Sequence, residues 1–277
     1  MSEKSEEIVK GENSEEIKSN TDVVTGYYEQ DGYKIHYEKV GHGDCVVFMF
    51  PGACGHSRAD FGPQLDGFDK DKFTLVAWDS PGFGLSRPPE RDYQKHAEEK
   101  FFYQYDAETV VKLMAHLGYD SFSVMGWSDG GKSALLVPIL FPAKVEKLVV
   151  WGTLAYIPEK YKVMWRILCT LEMWEEARRK EYIKLYGNRE TLEKIWYKHM
   201  SYTYTTTDIC KDRVKEIKCP TFVLHGKKDT MIPKEFFDHL VANIPDVESH
   251  LFPDGVHDIH ISHAETFNKM VQRFLLD

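Results

Sequence analysis

The sequence predicts an α/β protein: a mostly parallel sheet with helices on both faces, interrupted by a helical insertion. Three observations predict it. Short apolar runs of the kind buried on both faces recur at Val46–Phe50, Phe73–Trp78, Phe122–Met125, Leu148–Trp151 and Thr221–Leu224. Segments with a helical period lie between them, so that strand and helix alternate along most of the chain. From about Tyr156 to Glu216 the rhythm stops, and Tyr161, Met164, Trp165, Leu168, Trp174, Leu192, Ile195 and Trp196 recur at roughly helical spacing with no convincing strand.

The chain divides accordingly. Residues 1–22 hold seven acids and three lysines, a balance of −4, with no aromatic residue, the composition of a disordered acidic leader. The leader has neither the apolar stretch of a secretory signal nor the arginines of a mitochondrial presequence, which points to an intracellular, cytoplasmic rather than mitochondrial, protein. Residues 23–155 and 217–277 form the α/β core, and 156–216 a helical lid, since insertions in such sheets sit at the carboxyl ends of the strands, where ligands bind.

The core opens on an antiparallel hairpin, in which Tyr33, Ile35 and Tyr37 alternate with polar residues behind the turn signal Asp31-Gly32. Ala107, Val110, Val111, Met114 and Leu117 form the stripe of a helix closed by Gly118. Pro138 is expected to kink the helix that follows Ser128 near Ala134. Phe237, Leu240, Val241 and Ile244 repeat the stripe behind Pro233, and the last helix carries Phe267, Met270, Val271, Phe274 and Leu275 behind a capping box, Ser262-x-x-Glu265.

Composition excludes several functions. With 42% apolar residues in 277 the chain can bury a core, and a net charge of −9 disfavours a surface that neutralises phosphate, so no nucleic-acid partner is expected. No run approaches the roughly 18 apolar residues of a membrane span. Cys45, Cys54, Cys169, Cys210 and Cys219 are odd in number and lack any C-x-x-C pair, against a disulfide framework or a zinc site. A monomer acting on a small molecule is expected.

The chemistry is carried by Gly126-Trp127-Ser128-Asp129-Gly130-Gly131, a G-x-S-x-G sequence between an apolar strand and a helical segment. A tight strand-to-helix elbow strains the serine backbone and leaves no room for side chains at its glycines. A serine needs a base, and the base an orienting acid. Asp229, on the loop after Thr221–Leu224, is the candidate acid, and His257, on the loop before the final helix, the candidate base. His225, His260 and His263 are read as spectators or supporting groups, and Asp254 and Asp258 as solvated loop carboxylates. The oxyanion donors are assigned to the backbone N–H groups of Asp129 and Ala53, the latter in the loop Pro51-Gly52-Ala53-Cys54-Gly55. Cys54 is read as a small buried residue.

From about Val24 onward the chain resembles the valacyclovir hydrolase (biphenyl hydrolase-like) group of the α/β hydrolases. The resemblance rests on Phe61-Gly62-Pro63-Gln64-Leu65, Val76-Ala77-Trp78-Asp79, Ser86-Arg87-Pro88-Pro89, the Ser128 motif, Val150-Trp151-Gly152, Cys219-Pro220 and Gly255-x-His257-x-x-His260. The chain departs from the group in Asp79-Ser80-Pro81-Gly82-Phe83-Gly84, which lacks the arginine expected between proline and glycine, and in the lid around Tyr202 and Tyr204. The resemblance implies an α/β-hydrolase fold and serine esterase chemistry on α-amino-acid esters, with Ser128, Asp229 and His257 as triad and no metal or organic cofactor. It also implies that the Asp129 side chain pairs with the substrate's ammonium group, with Trp127 beside it in substrate binding. An anion next to an oxyanion hole opposes the charge that develops there unless the substrate brings a cation. Against this stand an Asp129 turned to solvent or capping the helix, a general carboxylesterase or C–C bond hydrolase on the same fold, and a non-catalytic binding protein.

Overall fold

Residues 23–94, 102–168, 170–203 and 207–277 are described in the computed structural model. The acidic leader, Cys169 and Tyr204 lie outside them. The sheet has eight strands: β1 (Val23–Gln30), β2 (Tyr33–Val40), β3 (Cys45–Phe50), β4 (Phe73–Trp78), β5 (Phe122–Trp127), β6 (Val145–Trp151), β7 (Thr221–Gly226) and β8 (Val247–Phe252), in the order β1-β2-β4-β3-β5-β6-β7-β8. β1 and β2 pair antiparallel, as do β2 and β4, and every later pair is parallel. The hairpin turns on Asp31 (φ 51°) and Gly32 (φ 86°), both left-handed, the geometry that matches strand twist in a two-residue loop.

The helices are α1 (Ser57–Gly67), α2 (Phe102–His116), α3 (Ser128–Leu140), α4 (Glu159–Leu168), α5 (Glu176–Leu185), α6 (Arg189–Thr203), α7 (Lys234–Asn243), α8 (Ile259–Ser262) and α9 (Ala264–Leu276). Alternation along the central strands divides the interior into two cores. Phe48, Val76, Val124, Val150 and Val223 face Val110, Leu113, Leu136 and Phe236 on one side. Val47, Leu75, Met125, Val149 and Phe222 face Phe61, Phe267, Val271 and Phe274 on the other. β4, β5 and β7 are buried at every position, which is why their sequences read as unbroken apolar runs.

The structure corrects the reading at several elements. The last helix has no Ser262 capping box: Ser262 closes α8, and α9 starts at Ala264 with His263 as N-cap and no side-chain cap bond. Ser262 Oγ instead donates to the Asp258 carbonyl at 3.1 Å. α3 extends through Pro138, which sits in its last turn, to Leu140. α1 and β8 were not foreseen. α1 contains Pro63 and a non-helical Phe61 and has no single apolar face, and β8 is a half-exposed edge strand without an apolar run. Among the described residues no helix is long and apolar enough to cross a membrane.

Candidate active site

β5 ends at Trp127 and α3 begins at Ser128, so the turn between them has no spare residue. Ser128 pays for this with φ 53°, a conformation rare outside glycine. Side chains are excluded around it: a Cβ on Gly126 would lie 2.4 Å from Ala134 Cβ, and one on Gly130 would lie 2.1 Å from the Pro51 carbonyl oxygen.

The elbow and the loops after β7 and β8, at the carboxyl ends of the strands, bring the predicted residues together. Ser128 Oγ lies 2.8 Å from His257 Nε2, and His257 Nδ1 lies 2.8 Å from Asp229 Oδ2. Asp229 Oδ1 accepts the N–H groups of Met231 (2.8 Å) and Ile232 (2.9 Å), which fix the carboxylate's direction. Although burial opposes ionisation, the neighbouring His257 and these amides hold the Asp229 carboxyl below its usual range. An ionised Asp229 requires the proton on Nδ1, leaving Nε2 to accept from the serine hydroxyl. The loop of His257 is tied to the elbow by Trp127, whose indole Nε1 donates to the His257 carbonyl at 3.0 Å. That bond leaves only ring surface of Trp127 for the cavity.

Ala53 and Ser128 both line two adjoining cavities, of about 760 and 700 Å³ with their open mouths counted. The first runs past His257 to Trp174, Arg178 and Asp258, and the second past Asp129 and Lys132 to Trp165, Met200 and Ile232. Met173 and Trp196, from the helical segment between β6 and β7, wall both. The first N–H groups of α3, Asp129 among them, have no carbonyl of their own helix to bond.

The Asp129 side chain neither faces open solvent nor caps its helix. Oδ1 accepts from Tyr103 Oη (2.5 Å) and Lys132 Nζ (2.7 Å), and Oδ2 lies 2.9 Å from His199 Nε2. Burial works against its charge, but Lys132 and His199 together hold its carboxyl far below the usual carboxylate range. Lys132, Tyr103 and His199 were missed in the sequence. The one readable signal was Lys132 at i+3 from Asp129 on a helix, where opposite charges meet.

The remaining candidates fall outside the row. His225 is buried with Nδ1 4.0 Å from Asp229 Oδ2, and burial lowers its pKa. His260 accepts from Trp151 Nε1 (3.0 Å) at Nδ1, so Nε2 donates to the Asp60 carbonyl (3.0 Å), and His263 is half-buried. Asp254 is exposed and paired with Lys228, as expected of a loop carboxylate. Asp258 corrects that expectation: it lines the first cavity, and its Oδ1 is buried without a hydrogen-bond partner among the described residues. Cys54 is fully buried, its thiol pushed up by burial. Arg91 reaches the loop where an arginine was expected, donating to the Pro81 carbonyl with its guanidinium over Phe83.

The family described as serine aminopeptidase, S33, matches residues 41–263. The serine hydrolase BPHL of Mus musculus is 35% identical over 260 residues, covering 92% of this chain and 87% of the relative. A 2-hydroxy-6-oxononadienedioate/2-hydroxy-6-oxononatrienedioate hydrolase of Comamonas testosteroni is 26% identical over 273 residues, covering 88% and 91%. The solved 2-hydroxy-6-oxo-6-phenylhexa-2,4-dienoate hydrolase of a Rhodococcus species superposes with a TM-score of 0.73 at 18% identity, covering 93% of this chain and 100% of that one.

Proposed function

Because the chain belongs to the serine aminopeptidase S33 family of the α/β hydrolases and is a serine hydrolase, we propose that it cleaves α-amino-acid esters through an acyl-enzyme on Ser128. The observation that carries this reading is the Ser128–His257–Asp229 row opening on a cavity with an ionised carboxylate, Asp129, next to the nucleophile. His257 takes the Ser128 proton as the hydroxyl attacks the ester carbonyl. The Ala53 and Asp129 amides hold the oxyanion, and His257 then protonates the leaving oxygen. Water activated by the same histidine releases the acid.

This cycle assigns the cavities. The leaving oxygen must be within reach of His257, so the alcohol occupies the first cavity, with Arg178 and Asp258, and the acyl group occupies the second. An α-ammonium on the acyl group then falls beside Asp129.

One observation favours a second reading, hydrolysis of esters with a neutral acyl group. Lys132 Nζ already neutralises Asp129 at 2.7 Å, and Met200, Trp165 and Ile232 give that cavity a largely apolar wall. A substrate ammonium gains only what Lys132 gives up. Paired esters of one amino acid, with the amine free or acetylated, decide between the two. A kcat/KM tenfold or more higher on the free amine supports the first reading, and equal values replace it by the second. Labelling by a fluorophosphonate that disappears in Ser128→Ala tests the acyl-enzyme itself.

A further inference from the structure

The loop that carries Ala53 is gripped from outside the sheet, by α5 and the residue that follows it. Tyr182 Oη donates to Asp60 Oδ1 (2.7 Å) and accepts the His56 N–H (3.3 Å). Arg178 Nη2 lies 3.1 Å from the same Asp60 oxygen. Asp60 turns its other oxygen, Oδ2, to the Gly52 N–H at 2.9 Å. Tyr186 Oη donates to the Cys54 carbonyl (2.8 Å) and accepts the Gly84 N–H (2.9 Å). Ala53 thus lies between two residues, Gly52 and Cys54, each of whose backbone is fixed by a side chain network anchored on α5.

Two features show that the loop has no slack. A Cβ on Gly52 would lie 2.9 Å from Trp127 ring carbons and 3.5 Å from Arg178 Nη2, so the loop is pinched between the elbow and α5. Cys54 has φ 60°, a conformation a non-glycine residue keeps only where its surroundings enforce it, and its carbonyl is the one Tyr186 holds. Asp60, Tyr182 and Tyr186 are buried, and none of them lines either cavity at Ser128.

We propose that α5 is the positioning element of the oxyanion hole: through Asp60, Tyr182 and Tyr186 it sets the Ala53 N–H, so that docking of the helical insertion and readiness for acyl transfer are one event. The proposal rests on the reading of Ala53 as second oxyanion donor. An oxyanion donor works only within about 2.7–3.1 Å of the place where charge develops, so a small drift of the loop weakens it while substrate contacts persist. The two tyrosines act through Ala53 and touch no reacting atom.

The test compares an α-amino-acid oxoester with the thionoester of the same acid on Tyr182→Phe, Tyr186→Phe and the double variant. Sulfur is a weak acceptor and gains little from amide donors, so the wild-type protein prefers the oxoester. Each variant should lose about tenfold in oxoester kcat, a fraction of the 10²- to 10³-fold that deleting a donor outright costs, with KM within about twofold of wild type. The oxoester-to-thionoester ratio should fall in step. That ratio is independent of how much protein is folded. A ratio unchanged from wild type, whether or not both rates drop, makes the tyrosines structural and overturns the proposal. A wild-type protein with no oxoester preference overturns the reading of Ala53 and Asp129 as oxyanion donors, and the proposal with it.

Discussion

On the proposed reading, substrate choice turns on Lys132, which holds Asp129 in the wall of the second cavity. Its ammonium is buried, 2.7 Å from Asp129 and 2.8 Å from the Tyr103 hydroxyl, so it cannot be swept into solvent when a substrate arrives. Two opposite charges a few ångströms apart in a poorly hydrated wall cancel most of the field that either would project. Lys132→Met removes the cancellation. Its kcat/KM should rise about tenfold on a free α-amino ester and stay within about twofold on the acetylated ester, a selective gain of roughly 1.4 kcal/mol. Parallel losses on both esters would show that Lys132 serves the pocket's shape rather than its charge. Asp229→Asn is a separate matter, since an amide can donate to Nδ1 and force the wrong tautomer. Its kcat should drop by about 10⁴ with KM little changed, read from steady-state rates.

At the scale of elements, the elbow is a fit between backbones. The Cβ of an alanine at Gly130 would meet the Pro51 carbonyl at 2.1 Å and the Phe50 carbonyl at 2.7 Å, so β3 and the loop that follows it must move to admit it. Gly130→Ala is expected to lower the melting temperature by several degrees and activity by far more, measured together on one preparation. Gly62, which has open space around the same hypothetical atom, should accept alanine with little change in either.

The elements also explain what could be read in advance. β4, β5 and β7 were legible because burial on both faces demands unbroken apolar runs, and the Ser128 motif was legible because its glycines answer a steric need. Asp229 and His257 followed from their places after a strand and before a helix. β8 and α1 were not legible: one is half-exposed at an edge, and the other is broken around Phe61 and Pro63. The surroundings of Asp129 were hidden for another reason. Tyr103 and His199 approach it from α2 and α6, 26 residues back and 70 ahead, a proximity no local pattern encodes.

For the whole molecule, acid sensitivity follows from a buried histidine. His260 is fully buried between Trp151 and the Asp60 carbonyl, and burial, reinforced by Arg178, lowers its pKa well below the ordinary 6.5. The unfolded chain takes up a proton below pH 6.5 that the fold refuses, so unfolding gains ground as pH falls through that value. The His260 contribution to stability is fully present above pH 6.5 and declines below it by up to about 1.4 kcal/mol per unit. His225, also lowered, adds to the same window, whereas Asp229 and Asp129 are depressed carboxylates whose contributions are lost only at lower pH. The melting temperature should be level near neutrality and fall between pH 6.5 and 5. His260→Gln, which can still accept from Trp151 and donate to Asp60, should flatten that fall, and a slope equal to wild type would exonerate His260.

β8 is one of the sheet's two edge strands and the last of the eight in sequence, and His257 follows it by five residues. During synthesis the elbow with Ser128 emerges well before His257, 129 residues later. Until β8 is laid along β7 and His257 follows it, Ser128 lacks its 2.8 Å contact to the imidazole. On the proposed acyl-enzyme reading, the elbow is therefore inert while its pocket is still open to every ester in its surroundings, and it gains its base only once the stretch beyond β8 has been made.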